Sequence, residues 1–336
     1  MNLIDVTKKF ATPEACNDFI ESMRWPNGVT CLACESKKVT KYTKQEGSRT
    51  RLNPKTGKHE VKSVPARILY VCLECGCQFS ATTGTLFNDS HLDLEKWFMA
   101  VALMVNAKKG LSALQLKRDL SVAYKTAWYL SHRIRKAMEL IEAADGKPVA
   151  GTVEADETYI GGKYDVRRKR ARWDKEPVFG MVERGGKAKT CHIPQINRKH
   201  VTDRLKDSIS IEADLVCTDD SSIYHQMPAN VKRHESVNHS AKEWVRGDVH
   251  TGTIDGYWGL LKRGIIGSYH QVSIKHLGRY LSEFQLKWNH REAQNIFVLV
   301  VAALVIGRAL TYNELIASID VESNPGPKVE FDGEPF

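Results

Sequence analysis

The sequence lacks any hydrophobic run long enough to cross a membrane. Its longest apolar run is Ile296–Ile306, whereas a transmembrane helix needs about 20 apolar residues. We therefore expect this run to form a buried core helix. The first residues, MNLIDVTKKF, also lack the charged, apolar and small-residue order of a secretory signal. Both absences predict an intracellular protein.

The chain also lacks an internal repeat and the polar bias of a disordered protein. Of its 336 residues, 42% are hydrophobic and 26% are charged, which is typical of a folded protein with a buried core. This length allows two or three domains. The net charge of +9 favours a polyanionic partner, because Lys and Arg release counterions when they meet phosphates. Charge alone does not separate DNA from RNA.

Composition changes along the chain predict four segments. Residues 1–88 are rich in Cys, Gly and Lys, and residues 89–147 are helix-like until the turn Asp145-Gly146-Lys147-Pro148. Residues 148–317 begin with short β-rich runs (TVEADETYI, PVFGMVE, KTCHIPQI, DLVCTDD) and end in helical periodicity. The tail, 318–336, is polar. The sequence thus predicts an α/β core behind an N-terminal Cys domain and a small helical segment.

Two CxxC motifs predict a zinc site. Cys31, Cys34, Cys72 and Cys75 can direct four thiolates to one tetrahedral Zn²⁺, which we favour over disulfides in a reducing compartment. Thirty-seven residues separate the motifs, and we interpret the excess over the usual spacing as an inserted loop. This loop is basic and turn-rich, so it either contacts phosphates or is simply solvated.

The other four cysteines carry less information. Cys77 lies just outside the second motif and is either a substitute ligand or a spare thiol. Cys16, Cys191 and Cys217 are isolated.

The helical segment resembles a helix-turn-helix. Ser112 and Ser121 are placed to cap helices, and Asp119-Leu120-Ser121 forms a short link between them. The second helix repeats apolar residues on one face and offers four polar ones to solvent or to a major groove. The apolar set is Ala127, Leu130, Ile134, Ala137 and Ile141, and the polar set is Lys125, Thr126, Arg133 and Lys136. An ordinary helical linker with a basic outer face is the alternative.

Three carboxylates form the candidate catalytic set. Asp156 and Asp219 each lie near the end of a predicted strand, which is a rigid support for a metal ligand. Asp255 comes seven residues before Lys262, so both lie on one face of a predicted helix. In-line phosphodiester chemistry needs two divalent ions held by several acidic oxygens, and Mg²⁺ or Mn²⁺ suits such ligands.

Other charged residues complicate this assignment. Glu154, Glu157, Asp220 and Asp248 are competing acids. A basic run after Asp156 either grips a phosphate backbone or is a solvated loop. Its cations are Lys163, Arg167, Arg168, Lys169, Arg170 and Arg172.

These motifs resemble the zinc-ribbon insertion-sequence transposases of the IS1595 family, which have a DDE-type, ISXO-type transposase domain. The likeness extends over about residues 25–291 and includes CLAC, YVCLECGCQFSATTGTLF, HLDLEKWFMA, VEADETYIGGK, and the block from Val249 to Arg291. It implies an RNase H-like catalytic domain, two metal ions and recognition of terminal inverted repeats. On this pattern Asp156 and Asp219 take the first two acidic positions, and Lys262 touches phosphate near the scissile bond.

The third acidic position departs from the family pattern. This chain has Asp255 where many relatives carry Glu, Asn or another residue, and Gly252 stands in a position often occupied by Asn. Asp is one methylene shorter than Glu, so this ligand is either lost or acts through water.

The predicted function is therefore metal-dependent DNA cleavage at element ends followed by strand transfer. Its partner would be double-stranded DNA, both terminal repeats and target. Synapsis of two ends would require at least a homodimer. The protein would act at the nucleoid of a bacterium or in the nucleus of a eukaryote. The alternatives are another RNase H-like nuclease, which resolves junctions or cuts RNA, and a domesticated zinc-ribbon DNA-binding protein without catalysis.

The tail holds one further motif. DVESNPGP, Asp320–Pro327, is similar to the motif at which 2A-type peptides make a eukaryotic ribosome skip the Gly-Pro bond. The alternatives are a remnant of an expression vector, chance, or a turn-rich disordered tail.

Overall fold

A computed structural model describes residues 1–52, 54, 57–64, 66–161 and 175–317 of the chain. These residues form two compact units, one made of Leu3–Met99 with Val301–Leu310 and the other centred on Ala100–Val300. The basic run from Lys163 to Arg172 and the DVESNPGP motif lie outside the described residues. The four predicted domain segments stay predictions.

The first unit begins with two helices followed by a small sheet. Thr12 caps the second helix by accepting from the backbone N–H of Ala15 at 3.2 Å, and Pro13 occupies the first turn, where its missing N–H does no harm. The rings of Trp25, Tyr70 and Phe79 lie within 5.9 Å of one another and pack the sheet. The helices are α1 Leu3–Lys9 and α2 Pro13–Arg24, and the antiparallel sheet has the order β1-β4-β5, with β1 Val39–Lys44, β4 Arg67–Cys72 and β5 Gln78–Phe79.

The insertion between the CxxC motifs is more regular than a plain loop. It forms a two-stranded antiparallel hairpin, in which β2 Gly47–Leu52 pairs with β3 His59–Val64. The predicted insertion therefore contains β1, most of β4 and, between them, a separate β-hairpin.

The apolar run Ile296–Ile306 is a helix, α9, as the sequence predicts. Most of its side chains are buried, including Phe297 and Leu304, although Ile306 is exposed. Within the first unit, the backbone N–H of Leu86 donates to the carbonyl of Leu304 at 3.0 Å. Among the described residues no helix is both long and apolar enough to span a bilayer.

Helices precede the main sheet, as predicted. Ser112 caps α4 by accepting from the backbone N–H of Gln115 at 3.1 Å. Ser121 instead occupies the C-terminal cap of α4 with φ 52°, and α5 starts after Ala123 without a side-chain cap. The prediction that Ser121 caps the second helix was therefore wrong. The helices are α3 Leu94–Asn106, α4 Ala113–Leu120 and α5 Tyr124–Asp145, the last ending at Gly146 with φ 49°.

A five-stranded mixed sheet forms the centre of the second unit. Its order is β10-β9-β6-β7-β8, in which β9 and β10 run parallel to β6 while β6, β7 and β8 are successively antiparallel. The four β-rich runs of the sequence are all strands, but β10 and α6 escaped prediction. The strands are β6 Thr152–Gly161, β7 Lys175–Glu183, β8 Ala188–His192, β9 Leu215–Asp219 and β10 His234–Val237.

Helices supply the apolar surfaces that pack against the sheet. On one face Ile160 and Val178 join a buried cluster with residues of α7 and α8, and on the other Val153 and Phe179 join one with residues of α6. Alternate residues of β6 therefore point to opposite faces. The helices are α6 Arg198–Ser208, α7 Gly252–Gly264, α8 Ile274–Asn289 and α10 Tyr312–Ile316, with a π-turn at Ile265–Tyr269 after α7.

A charged cluster is buried between α5 and α8. The carboxylate of Glu283 accepts from Arg135 Nε at 2.7 Å, from Lys287 Nζ at 2.5 Å and from the hydroxyl of Tyr269 at 2.8 Å. Burial alone would raise the pKa of Glu283, but the two cations lower it to about 2. This network fixes the position of α8 relative to α5.

Candidate active site

The sheet places Asp156 of β6 beside Asp219, the last residue of β9. In the parallel pairing of β6 with β9, Glu154 is the register partner of Cys217. Two residues further along each strand come Asp156 and Asp219, so continuation of this register places the two carboxylates side by side. Both side chains are partly exposed. The structure thus brings the two acids together, and Asp219 ends β9 as predicted. The prediction that Asp156 lies near a strand end was wrong, because β6 continues past it to Gly161 in its pairing with β7.

Asp255 approaches this pair from helix α7. It is exposed in the first turn of that helix, and its charge, with that of Asp219, acts on Asp156. Burial first, and these two carboxylates next, raise the pKa of Asp156 to about 6. Burial, together with the nearby charge of Asp220, also raises the pKa of Asp219. This site therefore concentrates negative charge, which is the environment that a divalent cation stabilises.

Trp258 orients the first of these acids. Its indole Nε1 donates to Oδ2 of Asp156 at 2.9 Å. Trp258 lies one turn after Asp255 on the buried side of α7 and packs in the same apolar cluster as Ile160. No sequence motif pointed to Trp258, although its position among the buried residues of α7 follows the helical repeat.

Glu154 anchors the helix that carries Asp255. Its buried carboxylate accepts from the backbone N–H groups of Thr253 at 2.7 Å and Ile254 at 3.0 Å, and from the Thr253 hydroxyl at 2.9 Å. A carboxylate at this end of a helix also interacts favourably with the helix dipole. Glu154, a competing acid in the sequence, is therefore committed to joining β6 to α7.

Arg184 completes this junction. It donates from Nε to Glu154 at 2.7 Å, and its other nitrogens donate to the carbonyls of Asp248 at 2.6 Å and His250 at 3.0 Å. The guanidinium thus ties β6 to the residues just before α7 and balances the buried charge of Glu154. No motif in the sequence pointed to Arg184.

The remaining competing acids have other contacts. Glu157 points to the opposite face of the sheet, where the hydroxyl of Tyr224 donates to it. Burial is the main cause that raises the pKa of Glu157 to about 7. Asp220 accepts from the side-chain amide of Asn238 at 2.9 Å. Asp248 is exposed and offers its backbone carbonyl to Arg184. Asp156, Asp219 and Asp255 thus remain the strongest candidates for metal ligands.

The four predicted zinc ligands also converge. Their sulfurs all lie within 4.8 Å of one another, and the Cys31–Cys75 and Cys34–Cys72 pairs are each 3.5 Å apart. Tetrahedral zinc with Zn–S bonds of about 2.3 Å separates its sulfurs by about 3.8 Å, so the cluster fits the ion. Cys77 lies outside the cluster.

The two CxxC motifs have the same backbone hydrogen bond. The N–H of Glu35 donates to the carbonyl of Cys31, and the N–H of Gly76 donates to the carbonyl of Cys72, each at 3.0 Å. Glu35 and Gly76 both have positive φ, 58° and 71°. This left-handed turn is what lets each pair of thiolates face one point, and glycine adopts it without strain.

Two family models match these regions of the chain. The ISXO2-like transposase domain of the IS1595 family matches residues 148–289, which include the three acids, and the transposase zinc-ribbon domain of that family matches residues 11–78, which include the four cysteines. The chain belongs to the IS1595 transposase family. It is also 28% identical over 302 residues to an uncharacterized protein in transposable element ISH50 of Halobacterium salinarum, which covers 83% of this chain and 92% of that protein. The resemblance inferred from sequence motifs is confirmed.

In this transposase-family chain, Lys262 lies on the outer side of α7. It is exposed, as is Asp255, and it comes seven positions after Asp255, which amounts to about two helical turns. Both side chains therefore face solvent along the same strip of the helix. This strip is open for a phosphate backbone to approach.

The helical segment is less exposed than the sequence predicts. Arg133 is only 4% exposed and its guanidinium lies 4.3 Å from the ring centre of Tyr129. The prediction that Arg133 faces solvent was wrong, because α5 is covered on more than its apolar side. Lys125 is exposed and sits 4.5 Å from the ring centre of Tyr312, while Lys136 is half-buried beside Glu139.

Proposed function

We propose that this IS1595-family protein is an active DNA transposase with an RNase H-like catalytic core. The order and direction of the strands support this fold: three antiparallel strands in succession, β6 to β8, are followed by α6 and by two strands parallel to the first. The observation that carries the activity is the convergence of Asp156, in the middle of β6, and Asp219, at the end of β9, near the helix that bears Asp255.

The three carboxylates would hold two Mg²⁺ or Mn²⁺ ions, since hard divalent cations prefer carboxylate and water oxygens. When bound, such ions activate the attacking oxygen and stabilise charge on the leaving oxygen. Trp258 fixes the rotamer of Asp156 through its hydrogen bond. Glu154 and Arg184 hold the start of α7, and with it Asp255, against the sheet. The chain's own residues thus supply a rigid frame for the acids.

Lys262 would bind a phosphate near the scissile bond, because it lies on the same exposed strip of α7 as Asp255. In the reaction that we propose, water first cuts at the element end and leaves a 3′-hydroxyl. That hydroxyl then attacks target DNA in line, without a covalent intermediate on the protein.

Other parts of the chain would bind the DNA outside the cleavage site. The zinc ribbon with its β2–β3 hairpin, Lys125, Lys136 and the basic run from Lys163 to Arg172 are the candidates. The partners would be the terminal inverted repeats and target DNA. Two element ends must be held together, so at least a homodimer would act.

Incubation of the purified chain with DNA that carries both element ends and Mg²⁺ tests the proposal. We expect nicks at the ends for the wild type, none for Asp156→Ala or Asp219→Ala, and retained activity for Asp255→Glu. Asp214→Ala, an exposed acid at the opposite end of β9, is the matched control and should cut normally. DNA affinity of the two inactive variants should be unchanged or higher, because each loses negative charge.

Three outcomes would contradict the proposal. Cleavage that ignores the terminal repeats would indicate another nuclease. Repeat binding without metal-dependent cleavage would indicate a DNA-binding protein that lacks catalysis. Full activity of Asp255→Ala would place the third acid elsewhere.

A further inference from the structure

The segment between β10 and α7, residues 238–251, leads from a position beside Asp219 to the helix that carries Asp255. Val237, the last residue of β10, is the register partner of Asp219 in β9. Neighbouring strands are about 4.8 Å apart, so the segment starts directly beside that acid. It ends at Thr251, the residue before α7, and Asp255 lies in the first turn of that helix. We call this segment the β10–α7 loop.

Hydrogen bonds hold the β10–α7 loop in a defined conformation. The side chain of Asn238 accepts from the backbone N–H of Ala241 at 2.9 Å and donates to Asp220 at 2.9 Å. The backbone N–H of Asn238 donates to the carboxylate of Glu243 at 3.2 Å. Further along, Arg246 and Val249 form an antiparallel bridge. The loop is thus held at several points along its length.

This ordered loop displays an aromatic side chain to solvent. Trp244 is 61% exposed, although its indole would gain by burial. Its ring contacts the ring of His239 in a tilted arrangement, with a centroid distance of 4.6 Å and an interplanar angle of 32°. His239 follows Asn238, whose side chain donates to Asp220, the residue next to Asp219. One face of Trp244 is therefore covered by His239, and the rest of the ring is exposed on the loop that joins the strand beside Asp219 to the helix of Asp255.

The surroundings of Trp244 suit a nucleic acid better than a protein. Lys242 and Arg246 are exposed on the same loop, and Arg246 also lies 3.7 Å from Glu235 and 3.8 Å from Glu243. An aromatic ring and cations on one loop match a base and its phosphates. Val245 is the only other exposed large apolar side chain of the described β10–α7 loop. Two neighbouring side chains do not make the extended apolar patch that a protein interface requires.

We propose that Trp244, supported by His239, is a stacking platform for an unpaired base of the DNA strand at the cleavage site. This inference rests on the proposed function, because the base must belong to DNA held at Asp156, Asp219 and Asp255. A base that leaves its pair beside the cleaved phosphate loses its stacking neighbours. An aromatic face beside the acids would hold the displaced base and keep the phosphate in place.

The test measures binding to duplexes that differ only in one base pair beside the cleavage position. One duplex is fully paired, and the other has an unpaired 2-aminopurine there. Ca²⁺ replaces Mg²⁺ so that binding is measured without cutting. We expect the wild type to bind the unpaired duplex more tightly and to quench the fluorescence of 2-aminopurine, as stacking does.

Substitution of the indole separates stacking from other contacts. Trp244→Ala should weaken binding of the unpaired duplex by about 5- to 150-fold, the usual effect of losing one base stack, and leave the paired duplex nearly unaffected. Trp244→Phe should keep most of the quenching. Ile211→Ala, an apolar side chain 66% exposed before the other end of β9, is the matched control and should change neither.

Three results would overturn the inference: equal weakening of both duplexes by Trp244→Ala, no effect on either, or a change in the sedimentation of the protein without DNA. The last would assign Trp244 to contact with a second copy. If Trp244-dependent quenching persists while the wild type never cuts element ends in Mg²⁺, the proposed cleavage fails and the platform stands. The two ideas are therefore separable.

Discussion

The indole Nε1 of Trp258 donates to Oδ2 of Asp156 at 2.9 Å, and Gly180 lies directly under that indole. Gly180 is the register partner of Asp156 on β7, and a Cβ built on it would come within 2.5 Å of the Trp258 ring. The absence of a side chain at position 180 therefore makes room for the ring. Through this contact the neighbouring strand controls the orientation of Asp156.

Replacement of Trp258 by Phe tests this arrangement. Phe keeps most of the apolar packing but removes the hydrogen bond to Asp156, so we expect cleavage or metal affinity to fall by about 10- to 100-fold, as for other groups that orient ligands. Trp288→Phe is the matched control, since its buried Nε1 has no hydrogen-bond partner among the described residues. Equal rates for Trp258→Phe and the wild type would show that Asp156 does not need this bond.

Glu154 and Asp156 should respond in opposite ways to loss of charge. Glu154→Gln leaves Arg184 beside a neutral group and weakens the bonds to Thr253 and Ile254, so we expect unfolding to become easier by about 3–5 kcal/mol. Asp156→Asn removes repulsion from neighbouring acids, so its stability should be unchanged or higher. Urea denaturation of both variants measures the difference.

The same pair separates structural from catalytic loss. Cleavage by Asp156→Asn should be lost although the protein stays folded, whereas cleavage by Glu154→Gln should fall in step with its folded fraction. If Glu154→Gln is as stable as the wild type yet inactive, Glu154 touches the reacting groups and its role as an anchor is wrong.

Local patterns explain why much of the site was predictable. The CxxC spacing sets the direction of two thiolates within one turn, so Cys31 and Cys34 needed no knowledge of the fold. Short apolar strands such as Leu215–Asp219 reveal their ends through a change to polar residues, and this located Asp219. Parallel pairing then brings Asp219 beside Asp156, although β6 extends beyond Asp156 where the sequence predicted its end.

Tertiary packing explains why the burial of some charged residues could not be predicted from the sequence. Glu154 and Asp156 are two residues apart and point to the same face of β6, so strand periodicity treats them alike. Only the docking of α7 buries Glu154 completely and leaves Asp156 partly open. Likewise, helical periodicity assigned Arg133 to the polar face of α5, but that face is covered by the protein. Such differences depend on neighbours that are distant in sequence.

Zinc content provides a third prediction. Cys31→Ser or Cys72→Ser should release about one zinc per chain and unfold the ribbon, because binding of the ion and folding of such domains are coupled. Cys77→Ser should keep its zinc, since Cys77 lies outside the cluster of four sulfurs. Metal analysis of the purified variants, with circular dichroism, is the measurement. Zinc retained in Cys72→Ser but lost in Cys77→Ser would reassign the ligand.

The buried charge cluster between α5 and α8 predicts a pH dependence of stability. Arg135 and Lys287 lower the pKa of Glu283 to about 2 in the folded protein, whereas an unfolded Glu titrates near about 4.3. A carboxylate with a lowered folded pKa stabilises the protein fully above its unfolded pKa. That stabilisation is lost as the pH falls from about 4.3 toward about 2, because the unfolded chain takes up the proton first.

Glu283→Gln isolates this contribution. The amide leaves Arg135 and Lys287 buried without a counter-charge, so we expect a loss of about 3–5 kcal/mol at neutral pH. As the pH falls below about 4.3, the gap in unfolding free energy between wild type and variant should shrink, since only the wild type loses the ionised carboxylate. Urea denaturation at several pH values, interpreted as the difference between the two curves, cancels the titration of all other groups. A gap that stays constant down to about pH 2 would mean that Glu283 is not ionised in the folded protein, and the network would then be held by neutral hydrogen bonds.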